Sequence, residues 1–254
     1  MSNTIVVAVS NQKGGVGKST LTVLLASYLY YVKGYDVAVL DCDSPQHSLH
    51  GERQRELSDV RAVPFLEKMS KDYLAATGKQ PYAVMKVELE DALEKVELYL
   101  ERYQPDFLFL DLPGTINNVN ILNLLANVHH VFCPMVADTL AIESTLPFCR
   151  FLRDRIISVG LGNIKSVNVV WNKVDARERT HLYHAYDDLM EELNIDVMKT
   201  TLPASVRFRK GLCTEEKRPV FRSTLFPPDK SLIKTSGIEE LVAEFLAITG
   251  KKDG

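Results

Sequence analysis

Short apolar runs alternate along this chain with longer stretches whose apolar residues recur at helical spacing. "TIVVAVS" (4–10), "DVAVLDC" (36–42) and "HHVFCPMV" (129–136) are short apolar runs, "DFLFLDLPG" (106–114) is one that ends in acid and turn, and "KSVNVVWNKVD" (165–175) is one that passes into a loop. Such runs predict strands buried on both faces. Between them, 19–34, 88–103, 120–128, 143–160 and 180–194 predict helices, the second with Leu89, Leu93, Val96 and Leu100 on one face. Pro147 is expected in the first turn of its helix, where a missing N–H is harmless. A polar, helix-prone stretch covers 46–80, broken at Pro64 and Gly78, and 82–87 reads as an edge strand. A last strand over 195–203, a basic loop over 204–234 and a helix over 237–248 close the chain. Strand–helix alternation throughout predicts an α/β fold, a mostly parallel twisted sheet with helices on both faces, as one domain over 1–254.

Composition changes this picture little. The 254 residues are 46% hydrophobic and 25% charged, with a net charge of −3, so contact with nucleic acid needs a local basic patch. Cys42, Cys133, Cys149 and Cys213 are widely spaced without a C-x-x-C pair, which favours a reduced, cytoplasmic setting over a disulfide framework. The opening apolar run is too short to span a membrane and reads as the first strand.

The chemistry gathers where parallel sheets bind ligands, beyond the carboxyl ends of the strands. "NQKGGVGKSTL" (11–21) follows the first strand and leads into a helix. Gly14, Gly15 and Gly17 let backbone N–H groups converge on an anion, together with Val16, Ser19 and Thr20. The helix beginning near Lys18 points its positive end to the same place. Lys18 is positioned to reach β- and γ-phosphates and the Ser19 hydroxyl to bind Mg²⁺. Asp41 and Asp43 end the second strand and Asp111 ends "FLFLD", where carboxylates hold the waters around a phosphate-bound Mg²⁺.

Together "QKGGVGKST", "LDCDSPQ" and "LFLDLPG" resemble the deviant Walker-A P-loop ATPases of the ParA/MinD type, over about residues 4–248. More narrowly, "DCDSPQHSLHGERQRE" and "LPASVRFRKG" look like the ParA-like proteins of Bacteroidetes conjugative transposons (TraA-like). The resemblance implies a SIMIBI-like fold and a Mg²⁺-dependent ATPase that forms an ATP-dependent homodimer. It makes Lys13 the signature lysine, reaching phosphates held by the partner subunit, Asp43 the water-positioning acid, and Asp41 and Asp111 outer-shell magnesium acids. It implies weak intrinsic hydrolysis stimulated by a partner protein, non-specific DNA binding, a nucleoid-associated location when ATP is bound, and a task in partitioning or conjugative transfer of a mobile element. Two departures stand out: Ser44 is an extra residue in the usual D-x-D-P-Q, and the second switch reads Asp111-Leu112-Pro113-Gly114.

Asn172-Lys173-x-Asp175 also fits the pattern by which many GTPases read guanine; in the ParA-like reading Asn172 contacts adenine and the Pro203 loop closes over the ring. The signature lysine favours ATP. Between Ser205 and Arg222, six basic residues (Arg207, Arg209, Lys210, Lys217, Arg218, Arg222) face two acidic ones, a candidate DNA patch. A metal-carrier enzyme on the same scaffold needs paired interface cysteines, which the spacing of Cys133 and Cys149 does not suggest. His47/His50 and His181/His184 lack a third ligand, and of His129 and His130 one is expected to pack and one to be exposed. The last helix carries Glu239, Glu240 and Glu244 rather than a basic face, so packing on the sheet is expected instead of membrane binding.

Overall fold

The computed structural model describes residues 3–115, 118–175, 181–209 and 211–251. Seven strands form one sheet: β1 (Ile5–Val9), β2 (Val37–Asp41), β3 (Ala83–Lys86), β4 (Phe107–Asp111), β5 (His130–Met135), β6 (Ser166–Trp171) and β7 (Asp196–Val197). Their order is β3-β2-β4-β1-β5-β6-β7 and every pairing is parallel. Parallel strands need crossovers, and helices supply them. They are α1 (Lys18–Ser27), α2 (Ser48–Ala62), α3 (Pro64–Thr77), α4 (Ala92–Arg102), α5 (Val119–Asn127), α6 (Thr139–Leu152) and α7 (His181–Glu192), while α8 (Lys230–Ile233) and α9 (Ile238–Thr249) follow the last strand.

Alternate residues of each central strand feed two cores. Val6, Ala8, Leu108 and Leu110 pack with residues of α4–α7, whereas Val7, Val9, Phe107 and Phe109 pack with α1 and α9. Phe245 of α9 sits at the centre of the second core, with ring centroids 5.4, 5.9 and 4.9 Å from Phe107, Phe109 and Phe132. The apolar face of α9 is therefore spent on the sheet.

Three elements depart from the sequence reading. Pro147 lies well inside α6, because Asp138 caps that helix by accepting from Ala141 N at 3.0 Å and starts it earlier than expected. Pro147 and Glu143, whose carbonyl loses its partner, are both exposed, so water meets the loss. The last strand shrinks to Asp196–Val197 because Lys199 N and Thr200 N turn to the Glu244 carboxylate at 2.7 and 2.9 Å. The first helix closes with a wider π turn over Tyr28–Val32 rather than running on to 34.

Neither histidine at the start of β5 is exposed. His129 is half-buried and accepts from Val6 N at 2.9 Å; His130 is buried. Ser166 Oγ lies 2.9 Å from His130 Nδ1 and accepts from Asn168 Nδ2 at 2.7 Å. Burial, with Lys165 and His129 adding to it, pushes the His130 pKa down to about 4. The unfolded chain takes up this proton near pH 6.5, so the stability from neutral His130 is full above that pH and is lost as pH falls through 4. We expect the urea midpoint to fall between pH 7 and pH 4, with about 2 kcal/mol of the decline removed in His130→Gln. An unchanged pH profile in that variant refutes the assignment.

Candidate nucleotide site

The parallel register levels three strand ends. Asp111 is the partner of Val9 across β1–β4 and of Asp41 across β2–β4. The glycine-rich loop leaves β1 at this height and α1 starts at Lys18. Asn11, buried, staples the loop: its Nδ2 donates to Pro134 O and Thr145 Oγ1 at 2.8 and 2.7 Å, and its Oδ1 accepts from Lys13 N at 2.9 Å. Sequence reasoning passed over Asn11, although a polar residue just after a buried strand is a signal. The Lys13 ammonium has no hydrogen-bond or ion-pair partner among the described residues.

Gly17 caps α1 with φ 98°. A Cβ there would stand 2.4 Å from Asn172 Nδ2, so both conformation and space require glycine. Asn172 is buried, donates to Val16 O at 2.8 Å and accepts from Lys173 N at 2.9 Å. Lys173, read from sequence as a base-site or loop residue, puts its Nζ 2.6 Å from Gly15 O. Pro203 pairs with Val174 through a parallel bridge, which brings its loop beside the Asn172–Asp175 segment. The candidate base-reading loop and the phosphate loop are thus one hydrogen-bonded body.

The acids converge on Lys18. Asp111 is fully buried; its Oδ2 accepts from Ser19 Oγ at 2.6 Å, and its Oδ1 has no hydrogen-bond partner among the described residues. Ser48 Oγ lies 3.1 Å from Ser19 Oγ. Burial pushes the Asp111 pKa up to about 7, Asp41 and Asp43 add to the rise, and Ser19 and Lys18 oppose it. An orphaned, buried carboxylate oxygen beside a hydroxyl is a hard-oxygen donor set that fits Mg²⁺. Asp41 is engaged differently: Oδ2 accepts from His50 N at 2.8 Å, in the first turn of α2, and Oδ1 from Asp43 N at 3.2 Å. Asp43 has its pKa raised by partial burial, with Lys18 opposing. Gly114 closes against Lys18, since a Cβ there would lie 3.3 Å from Nζ. Glycine at the end of Asp111-Leu112-Pro113-Gly114 therefore leaves room for the lysine.

The basic loop is more engaged than its charge count suggests. Arg222 pairs with Glu52 at 2.8 Å, keeps only 18% of its side chain exposed, and reaches Thr20 Oγ1 at 3.5 Å. Arg207 donates to Leu232 O and Thr235 Oγ1 at 2.7 and 3.1 Å. Arg218 pairs with Glu216, while Lys217 is exposed. Lys210 and the Arg209 side chain lie outside the described residues, as does the His181 side chain. Buried Arg53 and Glu56 of α2 hold Thr224, at 2.7 and 2.8 Å. Cys133 and Cys149 meet despite their spacing, with burial and the Cys149 contact raising the Cys133 pKa, but both thiols are sealed in the core.

A seven-stranded parallel sheet with a glycine loop, Lys18 and strand-end acids at one crevice defines a P-loop nucleotide-binding fold. The family model for the CobQ/CobB/MinD/ParA nucleotide binding domain matches residues 7–218, and the chain belongs to that family. In fold it is similar to a plasmid partition protein of Borrelia burgdorferi B31 bound to AMPPNP (19% identity, TM-score 0.61, covering 96% of this chain and 99% of that one). It is also similar to the cobyrinic acid a,c-diamide synthase of Mycobacterium smegmatis with bound ATP analogue and magnesium (22% identity, TM-score 0.55, covering 80% and 85%). A curated relative, the iron-sulfur cluster carrier protein of Mycobacterium tuberculosis, is 30% identical over 169 residues, covering 62% of this chain and 44% of the relative, so the chain spans less than half of that protein's length.

Proposed function

We propose that this protein is a Mg²⁺-dependent ATPase that dimerises on ATP and binds DNA non-specifically while dimeric, serving partitioning or conjugative transfer of a mobile element. The observation that carries the reading is the Lys13 ammonium, without a hydrogen-bond or ion-pair partner among the described residues, beside a complete phosphate loop. In this reading Lys18 and the loop N–H groups hold the β- and γ-phosphates, with Thr20 at the start of α1. Ser19 and the waters around Asp111 and Asp41 hold Mg²⁺, which when bound screens the phosphate charge. Asp43 orients the attacking water. Lys13 completes the site of a second subunit and stabilises charge that spreads over the phosphoryl oxygens, as arginine fingers do elsewhere. Asn172 and Pro203 border the base. A partner protein accelerates hydrolysis, and the dimer associates with the nucleoid.

Among the six basic positions, Arg222 and Arg207 are held by protein partners. Arg218 pairs with exposed Glu216, a contact that a phosphate can replace, so Lys217 and Arg218 are offered for DNA contact beside Arg209 and Lys210. The prediction is that random duplex DNA is retarded with Mg-ATP and not without it, and that Lys217→Ala with Arg218→Ala flattens the log–log salt dependence by about 2. Equal binding with and without nucleotide defeats the switch. A cluster-carrier role is the weaker reading, because Cys133 and Cys149 are sealed in the core.

A further inference from the structure

Ser44, the residue added to the usual D-x-D-P-Q, has a partner far along the chain. Its Oγ donates to Glu88 Oε2 at 2.9 Å. Glu88 follows the edge strand β3, and its other oxygen lies 3.0 Å from Lys86 Nζ and 3.4 Å from His47 Nε2. His47 is buried, and its Nδ1 lies 3.1 Å from Asp41 O. The backbone reinforces the arrangement: Val87 N donates to Asp41 O at 3.0 Å and His47 N to Asp43 O at 2.8 Å. Glu88 therefore grips the loop that presents Asp43 at Ser44, the residue immediately after Asp43, and lies beside His47 without a hydrogen bond to it.

We infer that Glu88 and Ser44 form a latch that holds the Asp43 loop in the geometry needed for hydrolysis, so that both are positioning residues for turnover and not for nucleotide binding. This rests on the reading of Asp43 as the water-orienting acid. The physical case is local. A loop between β2 and α2 has many conformations, and a small displacement of a water-orienting carboxylate costs rate steeply. Ser44 next to Asp43 is an effective point at which to remove that freedom. Glu88 is a suitable anchor because it directly follows a strand held in the sheet by its pairing with β2. The Glu88 side chain is 47% exposed, so its truncation leaves the core intact.

The test compares Ser44→Ala, Glu88→Ala, the double variant, Glu88→Gln and Asp43→Ala in the full chain, with Mg-ATP and duplex DNA present. Turnover, KM for ATP and melting temperature are measured for each. The expected result is a kcat loss of about tenfold in each alanine variant, with KM and melting temperature unchanged. The double variant should be no slower than either single one, and Glu88→Gln, whose amide oxygen still accepts from Ser44, should recover most of the rate. Wild-type or faster turnover in Ser44→Ala and Glu88→Ala, with Asp43→Ala inactive, overturns the latch and leaves the ATPase reading standing. Losses that multiply in the double variant, or that track a falling melting temperature, also overturn it. Full turnover by Asp43→Ala overturns the reading of Asp43 itself.

Discussion

Gly17→Ala should reduce nucleotide affinity by at least about 100-fold while leaving the fold in place. Two costs coincide at this position. The left-handed conformation at φ 98° disfavours any L side chain by roughly 1–2 kcal/mol. The added methyl would also stand 2.4 Å from Asn172 Nδ2, so either the loop or the asparagine must move. Asn172 has nowhere neutral to go, because it is buried and donates to Val16 O, inside the same loop. Displacing it unseats the carbonyls and N–H groups that shape the anion cradle. The two hydrophobic cores lie within the layers and are untouched, so far-ultraviolet circular dichroism should match wild type. Titration with a fluorescent ATP analogue checks the prediction; affinity within threefold of wild type refutes it.

Lys13→Ala should separate binding from turnover. Its backbone N–H is tied by Asn11, so the loop path does not depend on the side chain. Monomeric nucleotide binding should therefore stay within a few-fold of wild type. The nucleotide-dependent dimer should be lost, and kcat should fall on the order of 10³-fold, the lower range for a charge supplied from a second subunit. Sedimentation with a non-hydrolysable analogue reads the first effect and phosphate release the second. A Lys13→Ala protein that still dimerises and turns over at the wild-type rate removes the basis for the proposed switch.

Much of this site could be read from one dimension, for definable reasons. Gly17-Lys18-Ser19 sits between a strand and a helix, and Asp41 and Asp111 each end an apolar run, so topology alone brings them together. Apart from Asn11 and the Asp138 cap, what escaped has no local signal. Glu88 stands in an ordinary acidic stretch, and only the pairing of β3 with β2 carries it to Ser44. Arg53 and Glu56 look like a solvated helix face until Thr224 folds over them. Cys133 and Cys149 meet because β5 and α6 face each other, which their spacing does not reveal. Pro147 lies deeper in its helix than its sequence suggests because a helix can begin upstream once a good cap such as Asp138 is available.

The position of Phe245 bears on how the chain is made. Its ring covers Phe107, Phe109 and Phe132, whose strands, with β1, carry the nucleotide crevice. During synthesis these strands leave the ribosome long before α9 does, and until it arrives that face of the sheet has α1 over it but lacks α9. Domains of this size fold as units once their parts are present, and apolar surface exposed in the meantime is a hazard. Competence to grip a nucleotide should thus be acquired only once α9 has emerged, although the loop residues that do the gripping are translated well before it.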